Sequence, residues 1–465
     1  MNKNYYIFSL LGIIPMLFSC KNEFASNDFT AYFGGEITNP KENFVYFCKG
    51  DEVLDTLYLN EKNRFFATFD SLAPGLYNFK HFPEYQYVYF DKNDSLMIQL
   101  NSNDFDNSLV FCGRGDEKNN FLIEMFLKNE EEKKSFYDLF TKDFNKFNQS
   151  IDSLIQGKEQ FYTTKKTQIN WNDDFDAIAK ASYLYPYYFK KELYPLIKKV
   201  RTDKNISAEL PKNYYDYRKK IDFNDQRLAD FSPFIRYINA MLNNIALQNN
   251  KTMFDENSLV DNIVKLNIAD TLISNAVIKN NITQNIAVQY ILEDENVANH
   301  QKLIQRFLEI STDKKIKSEL KKVVSAVENL KKGNSLPEVS LIDKNNNPIS
   351  INSLLTKNTV IFFWTTKYTS HFLAAHKKAI ELQEKYPDLQ FIAINIDEST
   401  LNWLETLSDL KQKSKIIELQ AIDRNQMNQK WALTKVHRTI LMNKNKTIHN
   451  AFCNLFEATF EEKLP

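Results

Sequence analysis

The spacing at which apolar residues recur changes twice along this chain, and that change limits what the chain can fold into more than any other feature. Residues 28–115 carry short apolar and aromatic runs between turn-prone stretches, residues 116–333 repeat apolar side chains at helical spacing, and residues 335–465 alternate between the two patterns. A chain of 465 residues is too long for one compact core. The sequence therefore predicts a multidomain α+β protein with these three domains.

The first domain, residues 28–115, is predicted to be a small antiparallel β sandwich or barrel. Its short strands are separated by turns and are expected at Ala31–Ile37, Phe44–Cys48, Leu54–Leu59, Phe65–Phe69, Tyr85–Phe90, Leu96–Leu100 and Leu109–Cys112. The layout resembles the β domain of unknown function that precedes thioredoxin-like domains in Bacteroidota lipoproteins. Two cysteines, Cys48 and Cys112, lie on predicted strands, where they either form a disulfide or are buried separately.

The second domain, residues 116–333, is predicted to be helical. Apolar residues recur at helical spacing from Ile316 to Leu330, and Gly333 follows as a stop signal. The segment Tyr183–Tyr194 is unusually aromatic, which favours packing in the core over a partner-binding surface. We find no catalytic motif in this region.

The third domain, residues 335–465, is predicted to be α/β. A buried strand at Val360–Trp364 precedes a helix, and a second strand follows at Leu389–Ile396. After further helical segments, Thr439–Met442 and Ile448–Cys453 are predicted to form a hairpin. This order of elements resembles the thioredoxin fold.

The N-terminus has the features of a secretory signal. Residues 1–19 combine a short polar start with an apolar run that is shorter than the roughly 20 residues needed to cross a bilayer. Ser19-Cys20 resembles the lipobox of bacterial lipoproteins, in which the cysteine is acylated and the preceding peptide is removed. We therefore expect a lipid anchor at Cys20, followed by a tether over residues 20–27; the alternative is an ordinary signal peptide with a chance cysteine. The membrane is then a partner, and the protein faces the periplasm or the cell surface.

Charge and the spacing of potential ligands exclude several classes of function. Lys+Arg and Asp+Glu both number 59, so the chain lacks the basic excess of nucleic-acid binders. No two cysteines have a CxxC or zinc-ligand spacing, and the six histidines are scattered. We expect no metal, no cofactor and no nucleic-acid partner.

The third domain resembles the membrane-tethered thiol-disulfide oxidoreductases of the TlpA/ResA type within the thioredoxin superfamily. A Phe-Trp pair, here Phe363-Trp364, ends the first core strand of that family, and a Cys-x-x-Cys motif follows at the start of a helix. Tyr368 and His371 fall on the two cysteine positions in this chain. The family also has a cis-proline opposite the cysteines, and Arg438 falls on that position.

The resemblance implies a thioredoxin-like fold that has lost its redox chemistry. Thiol-disulfide exchange needs a thiolate and a second sulfur, which a phenol and an imidazole do not supply. We therefore expect no enzymatic activity but a binding or scaffolding role at the cell envelope. An oxidoreductase remains the alternative if Cys453 lies near Tyr368 and His371.

Three further uses of these residues stay open in the sequence. Tyr368, His371, His437 and Arg438 are expected to converge, either as an anion- or peptide-binding cleft or as a solvated remnant without a ligand. A Tyr/His acid–base pair is a second use. Glycan binding by the first domain is the third; it requires three tyrosines of one strand to be exposed together, although packing explains them better: Tyr85, Tyr87 and Tyr89.

Overall fold

The computed structural model describes residues 29–202, 204–249, 258–293, 297–397, 400–408, 415–433, 435–457 and 459–465. These residues form two compact units, which divide after Asn120. The predicted signal peptide, the tether and Cys20 lie outside the described residues. The predicted fold class is confirmed, with β sheets first, helices in the middle and an α/β domain at the end.

The first unit is a sandwich of two four-stranded sheets. One sheet has the strand order β4-β1-β7-β8 and the other has the order β3-β2-β5-β6. The strands are β1 (Ala31–Thr38), β2 (Phe44–Lys49), β3 (Glu52–Tyr58), β4 (Arg64–Phe69), β5 (Gly75–His81), β6 (Glu84–Phe90), β7 (Ser95–Asn101) and β8 (Val110–Arg114), and the short helix α1 (Phe105–Ser108) precedes β8.

Aromatic side chains fill the space between the two sheets. The buried ring of Phe33 on β1 contacts rings of both sheets, at centroid distances of 5.3–5.9 Å: Phe47, Phe65, Phe79 and Phe90. Packing of this kind explains why the strands alternate between large apolar and polar residues.

The two cysteines of the sandwich are not joined. Cys48 is buried on β2, whereas Cys112 is exposed on β8, which belongs to the other sheet. The alternative of a Cys48–Cys112 disulfide is therefore wrong. The other alternative, that each cysteine is buried separately, is correct for Cys48 only, because Cys112 is exposed on the outer face of its sheet.

Two features of the sandwich differ from the sequence prediction. Strand β5 was not predicted, because Pro74-Gly75 has the composition of a turn, yet Gly75 begins this strand. Strands β1 and β7 pair in parallel, with Gly34 opposite Met97. A sandwich predicted to be antiparallel thus contains one parallel pair.

Helices make up the first part of the second unit. They are α2 (Asp116–Lys133, which begins before the division), α3 (Phe136–Leu139), α4 (Phe144–Ile169), α5 (Asp173–Thr202), α6 (Ser232–Asn249), α7 (Leu259–Leu272), α8 (Ala276–Glu293), α9 (Val297–Ile310) and α10 (Lys314–Asn329). Capping explains several starts: the side chain of Asp143 accepts a hydrogen bond from the backbone N–H of Lys146, and Asp313 caps α10 in the same way. In the parts of the chain that the structure describes, no helix combines the length and apolar character needed to cross a membrane.

The tyrosine-rich segment of α5 packs inside this helical part, as the sequence favoured. The ring of Tyr185 contacts Phe234 at 4.9 Å and Tyr237 at 5.3 Å, both on α6. Tyr194 stacks on Phe147 of α4 at 4.1 Å. These rings belong to the core and not to a partner-binding surface.

The rest of the second unit is a seven-stranded sheet with flanking helices. Its strand order is β10-β9-β13-β12-β11-β14-β15. The elements are β9 (Leu341–Ile342), β10 (Pro348–Ile349), α11 (Ile351–Leu354), β11 (Thr359–Trp364), α12 (Thr369–Lys385), β12 (Gln390–Asn395), α13 (Thr400–Ser408), β13 (Ile417–Ala421), α14 (Arg424–Trp431), β14 (Arg438–Met442) and β15 (Ile448–Asn454).

The sheet is mixed, and β11 lies inside it between β12 and β14. Strand β11 runs parallel to β12, which runs parallel to β13, while β14 and β15 are antiparallel to their neighbours. Hydrogen bonds connect the sheet to the end of the helical part: the N–H of Gly333 donates to the carbonyl of Ile448, and the N–H of Ile448 donates to that of Asn334, both at 2.8 Å.

Candidate functional site

The segment between β11 and α12 lies where the resemblance places its redox site. Strand β11 is buried along its whole length, and Thr365–Tyr368 connect it to the helix. Loops at the carboxyl ends of parallel strands are common positions for functional side chains in α/β sheets. The segment is therefore the candidate functional site of this domain.

A buried carboxylate holds the segment in place. One oxygen of Asp397 accepts a short hydrogen bond from the hydroxyl of Thr365. The other accepts from the backbone N–H of Thr366 at 2.7 Å and from the side-chain amide of Asn395 at 2.9 Å. Asp397 thus fixes the start of the loop, a role that no pattern in the sequence indicates.

Tyr368 occupies the position before the first turn of α12. Its backbone carbonyl accepts a hydrogen bond from the N–H of Phe372 at 2.9 Å, and its side chain makes no capping bond. The side chain is 57% exposed. The phenol therefore faces solvent at the helix start, where a thiolate would gain from the helix dipole.

His371 lies one turn further and is half-buried. Its ring contacts Phe456 edge-on at 5.7 Å. Burial lowers the pKa of His371, and the nearby His437 and then His376 lower it further. Its Nδ1 atom is buried and has no hydrogen-bond partner among the described residues. His437 is therefore near enough to His371 to influence its charge.

Arg438 does not join them. Its guanidinium is buried, where Nε donates to the carbonyl of Ala451 at 2.7 Å and Nη1 donates to that of Ala432 at 2.6 Å. It also lies over the ring of Phe452 at 4.3 Å, and burial lowers the pKa of Arg438. The expectation that Arg438 faces an anion-binding cleft is wrong, because the strand directs this side chain into the protein.

Backbone geometry also separates Arg438 from the family's proline. In the described residues a cis peptide bond occurs only before Pro83, in the first unit, and the bond before Arg438 is trans.

The remaining sulfur of this domain is enclosed in its core. Cys453 lies on β15 opposite Thr439 and is 2% exposed. It belongs to the same apolar cluster as Trp364 and Phe372. The thiol is therefore enclosed in the core and shielded from a substrate disulfide.

A buried acid–base pair lies further along α12. His376 of α12 is fully buried, with its Nδ1 2.8 Å from the carbonyl oxygen of Phe372 and its Nε2 3.2 Å from Oε1 of Glu418 on β13. A carbonyl only accepts, so Nδ1 carries a proton, and the Nε2 contact requires one more proton shared with Glu418. His376 interrupts the apolar face of α12, which was the only sign of this pair in the sequence.

The condition set for glycan binding by the tyrosines of β6 is not met. Tyr85 is exposed and Tyr87 is half-buried, but Tyr89 is buried, so these tyrosines of β6 do not form a joint platform for a sugar. No group of three or more His, Cys, Asp and Glu side chains within the described residues has an arrangement that suits a metal ion.

The C-terminal part of the chain is similar to known proteins. A family model described as thioredoxin-like matches residues 356–448. No curated protein matches the chain.

Solved structures similar to this chain include a thioredoxin-like protein from Bacteroides caccae, with 14% identity, coverage of 59% of this chain and 92% of that one, and a TM-score of 0.34. A provisionally assigned thiol-disulfide oxidoreductase from Bacteroides vulgatus has 21% identity, covers 29% of this chain and 94% of its own, and gives a TM-score of 0.26. The thioredoxin domain of another thiol-disulfide oxidoreductase from the same species has 14% identity, with coverages of 29% and 98% and a TM-score of 0.24. The family match coincides with the central β11–β14 region of the sheet, so the C-terminal part of this chain is a thioredoxin-like domain.

Proposed function

We propose that this protein is a lipid-anchored component of the cell envelope whose thioredoxin-like domain binds a partner and performs no thiol-disulfide exchange. The anchor is the acylated Cys20, and the domain acts as a binding or scaffolding module.

The observation that carries the redox part of this proposal is the position of sulfur. Residues 335–465 contain one cysteine, Cys453, and it lies in the apolar core and not at the start of α12. Exchange requires an accessible thiolate, and burial among apolar side chains opposes both ionisation and access. Tyr368 and His371 stand where the attacking and resolving sulfurs of an oxidoreductase would be.

The same surface supports binding. Tyr368 presents an exposed ring at the helix start, and the exposed Phe456 packs against His371. Aromatic rings with one polar end are common contact residues at protein interfaces. Because the guanidinium of Arg438 points into the core, this surface suits an uncharged extended segment of a protein better than an anion.

The test compares the native chain with a variant in which the sulfurs are restored. We expect the chain without residues 1–20 to reduce insulin disulfides no faster than buffer with dithiothreitol, and we expect the variant Tyr368→Cys/His371→Cys to gain measurable turnover. In the native chain Cys453 should react with a thiol reagent only after denaturation.

A matched control is Cys453→Ser, which removes the buried sulfur and leaves the helix start unchanged. Turnover by the native chain that Cys453→Ser abolishes would overturn the proposal and identify an oxidoreductase. The proposal is supported if the native chain and Cys453→Ser are both inactive and Cys453 stays unreactive until denaturation. This holds even if the Tyr368→Cys/His371→Cys variant gains no turnover.

A further inference from the structure

The outer face of the sheet β4-β1-β7-β8 carries a second candidate site, unrelated to the thioredoxin-like domain. Alternation along the strands sends two rows of side chains to this face. The pairing registers place these rows across all four strands: Phe66, Gly34, Met97 and Cys112 in one, and Arg64, Glu36, Gln99 and Val110 in the next.

Because Gly34 has no side chain, Met97 and Phe66 can approach the backbone of β1, and both side chains line a cleft on this face. A Cβ atom at this position would lie 2.9 Å from the sulfur of Met97 and 2.9 Å from the ring of Phe66. The cleft has a volume of about 610 Å³, and Tyr58, at the end of β3, contributes to its wall. Clefts of roughly 300–1,000 Å³ are typical of small-ligand sites.

Aromatic rings at this cleft are left in water. The side chain of Tyr58 is 67% exposed and that of Phe66 is 61% exposed. Tyr32 stacks on Phe66 at 6.0 Å with an interplanar angle of 24°, which supports the Phe66 ring from one side. Rings of this size usually lie in cores or interfaces, so exposed rings in a cleft indicate a ligand.

Planar polar groups surround the rings. Arg64 and Glu36 form an ion pair at 2.8 Å, so the rim has no net charge from this pair. The side-chain oxygen of Asn60 accepts from the backbone N–H groups of Lys62 and Arg64, at 2.9 and 3.1 Å, which fixes the orientation of its amide. Gln99 is exposed and adds a second amide.

We propose that this cleft binds a neutral carbohydrate. The C–H faces of a sugar ring stack on exposed aromatic rings, and its hydroxyls both donate to and accept from amide, carboxylate and guanidinium groups. An anionic ligand would meet Glu36, and a purely apolar ligand would leave the polar rim without partners. This site is separate from the tyrosines of β6, which are not exposed together and so cannot stack on a sugar jointly.

Cys112 provides a built-in reporter of occupancy. Its thiol is exposed and lines the cleft, whereas Cys48 and Cys453 are buried. In the chain without residues 1–20, alkylation of Cys112 by N-ethylmaleimide should slow when a ligand covers it. The probes are cellohexaose, maltohexaose and mannohexaose, with laurate and oligogalacturonate as the apolar and anionic comparisons.

We expect at least one neutral hexasaccharide to bind in isothermal titration and to protect Cys112 from alkylation. Phe66→Ala and Tyr58→Ala should each weaken that binding about tenfold, a factor that corresponds to about 1.4 kcal/mol. Tyr85→Ala removes an exposed ring from the other sheet of the same sandwich and should leave binding unchanged.

The proposal is overturned if none of the three neutral hexasaccharides binds or protects Cys112, or if only laurate or oligogalacturonate does. Binding that survives both Phe66→Ala and Tyr58→Ala would place the sugar elsewhere and would overturn it too.

Discussion

At the scale of single residues, the second unit contains two buried lysines that share one carboxylate. Glu132 of α2 pairs with Lys158 of α4 and Lys190 of α5, each at 2.6 Å, and all three side chains are nearly buried. Burial lowers the pKa of Lys158 to about 8, and the neighbouring Lys190 adds to this, although Glu132 opposes it. One positive charge in this cluster has no carboxylate of its own.

This cluster predicts a specific pH dependence of stability. The unfolded chain binds a proton at Lys158 up to about pH 10.4, whereas the folded chain releases it above about pH 8. Between about pH 8 and pH 10.4 the unfolded state therefore binds more protons than the folded state. The contribution of Lys158 to the free energy of unfolding rises with pH across this window, by about 3 kcal/mol in total. Lys158→Met should be more stable than the native chain at pH 7, and that advantage should vanish by pH 10.5.

Urea unfolding at pH 7, 8.5 and 10.5 measures the difference between the two chains. Lys134→Met is the matched control, because Lys134 is exposed just after the end of α2 and pairs with the exposed Glu131 three residues earlier. A difference between Lys158→Met and the native chain that stays constant over this range would contradict the prediction.

Single residues also show where sequence reasoning about the site succeeds and where it fails. Tyr368 and His371 lie at the start of α12, as the resemblance implied, and a local pattern, a buried strand followed by helical spacing, indicates this helix. The burial of Arg438 and the contact of His376 with Glu418 were missed. Both depend on partners on other elements, and Glu418 is 42 residues from His376.

At the scale of elements, the same substitution should have opposite effects in a strand and in a helix. Gly35 lies in β1, between β4 and β7, and a Cβ atom there would lie 2.5 Å from the carbonyl oxygen of Ile98. Gly35→Ala should therefore destabilise the first unit by about 1–3 kcal/mol, as overpacking does. Gly157 is in the exposed interior of α4 with open space around it, so Gly157→Ala should stabilise the second unit by about 1 kcal/mol.

Thermal unfolding followed by circular dichroism, with each substitution made separately, tests this pair. The two variants are controls for each other, because each changes one hydrogen to a methyl group. A Gly35→Ala chain as stable as the native chain would show that β1 and β7 separate easily, contrary to the packing described above.

Elements were predicted well where apolar periodicity is uninterrupted and were missed where polar residues are buried. Strand β13 contains Glu418 and Gln420, both buried, so its sequence lacks the continuous apolar run of a central strand. Strand β5 begins with a glycine after a proline, which has the local signature of a turn. In both cases tertiary contacts outweigh the local signal.

At the scale of the whole molecule, the proposed attachment to the membrane depends on Cys20. The chain carries 59 basic and 59 acidic residues, so a net positive charge does not draw it to anionic lipids. Acyl chains must then supply the attachment. Each buried methylene adds about 0.8 kcal/mol, so several chains hold the protein at the membrane where one chain is marginal.

Cys20→Ala should lower the membrane-bound fraction of the full chain at least about tenfold and abolish incorporation of radiolabelled palmitate. Cys112→Ala, which also removes one cysteine, should keep both, and retention of Cys20→Ala in washed membranes would contradict the lipid anchor.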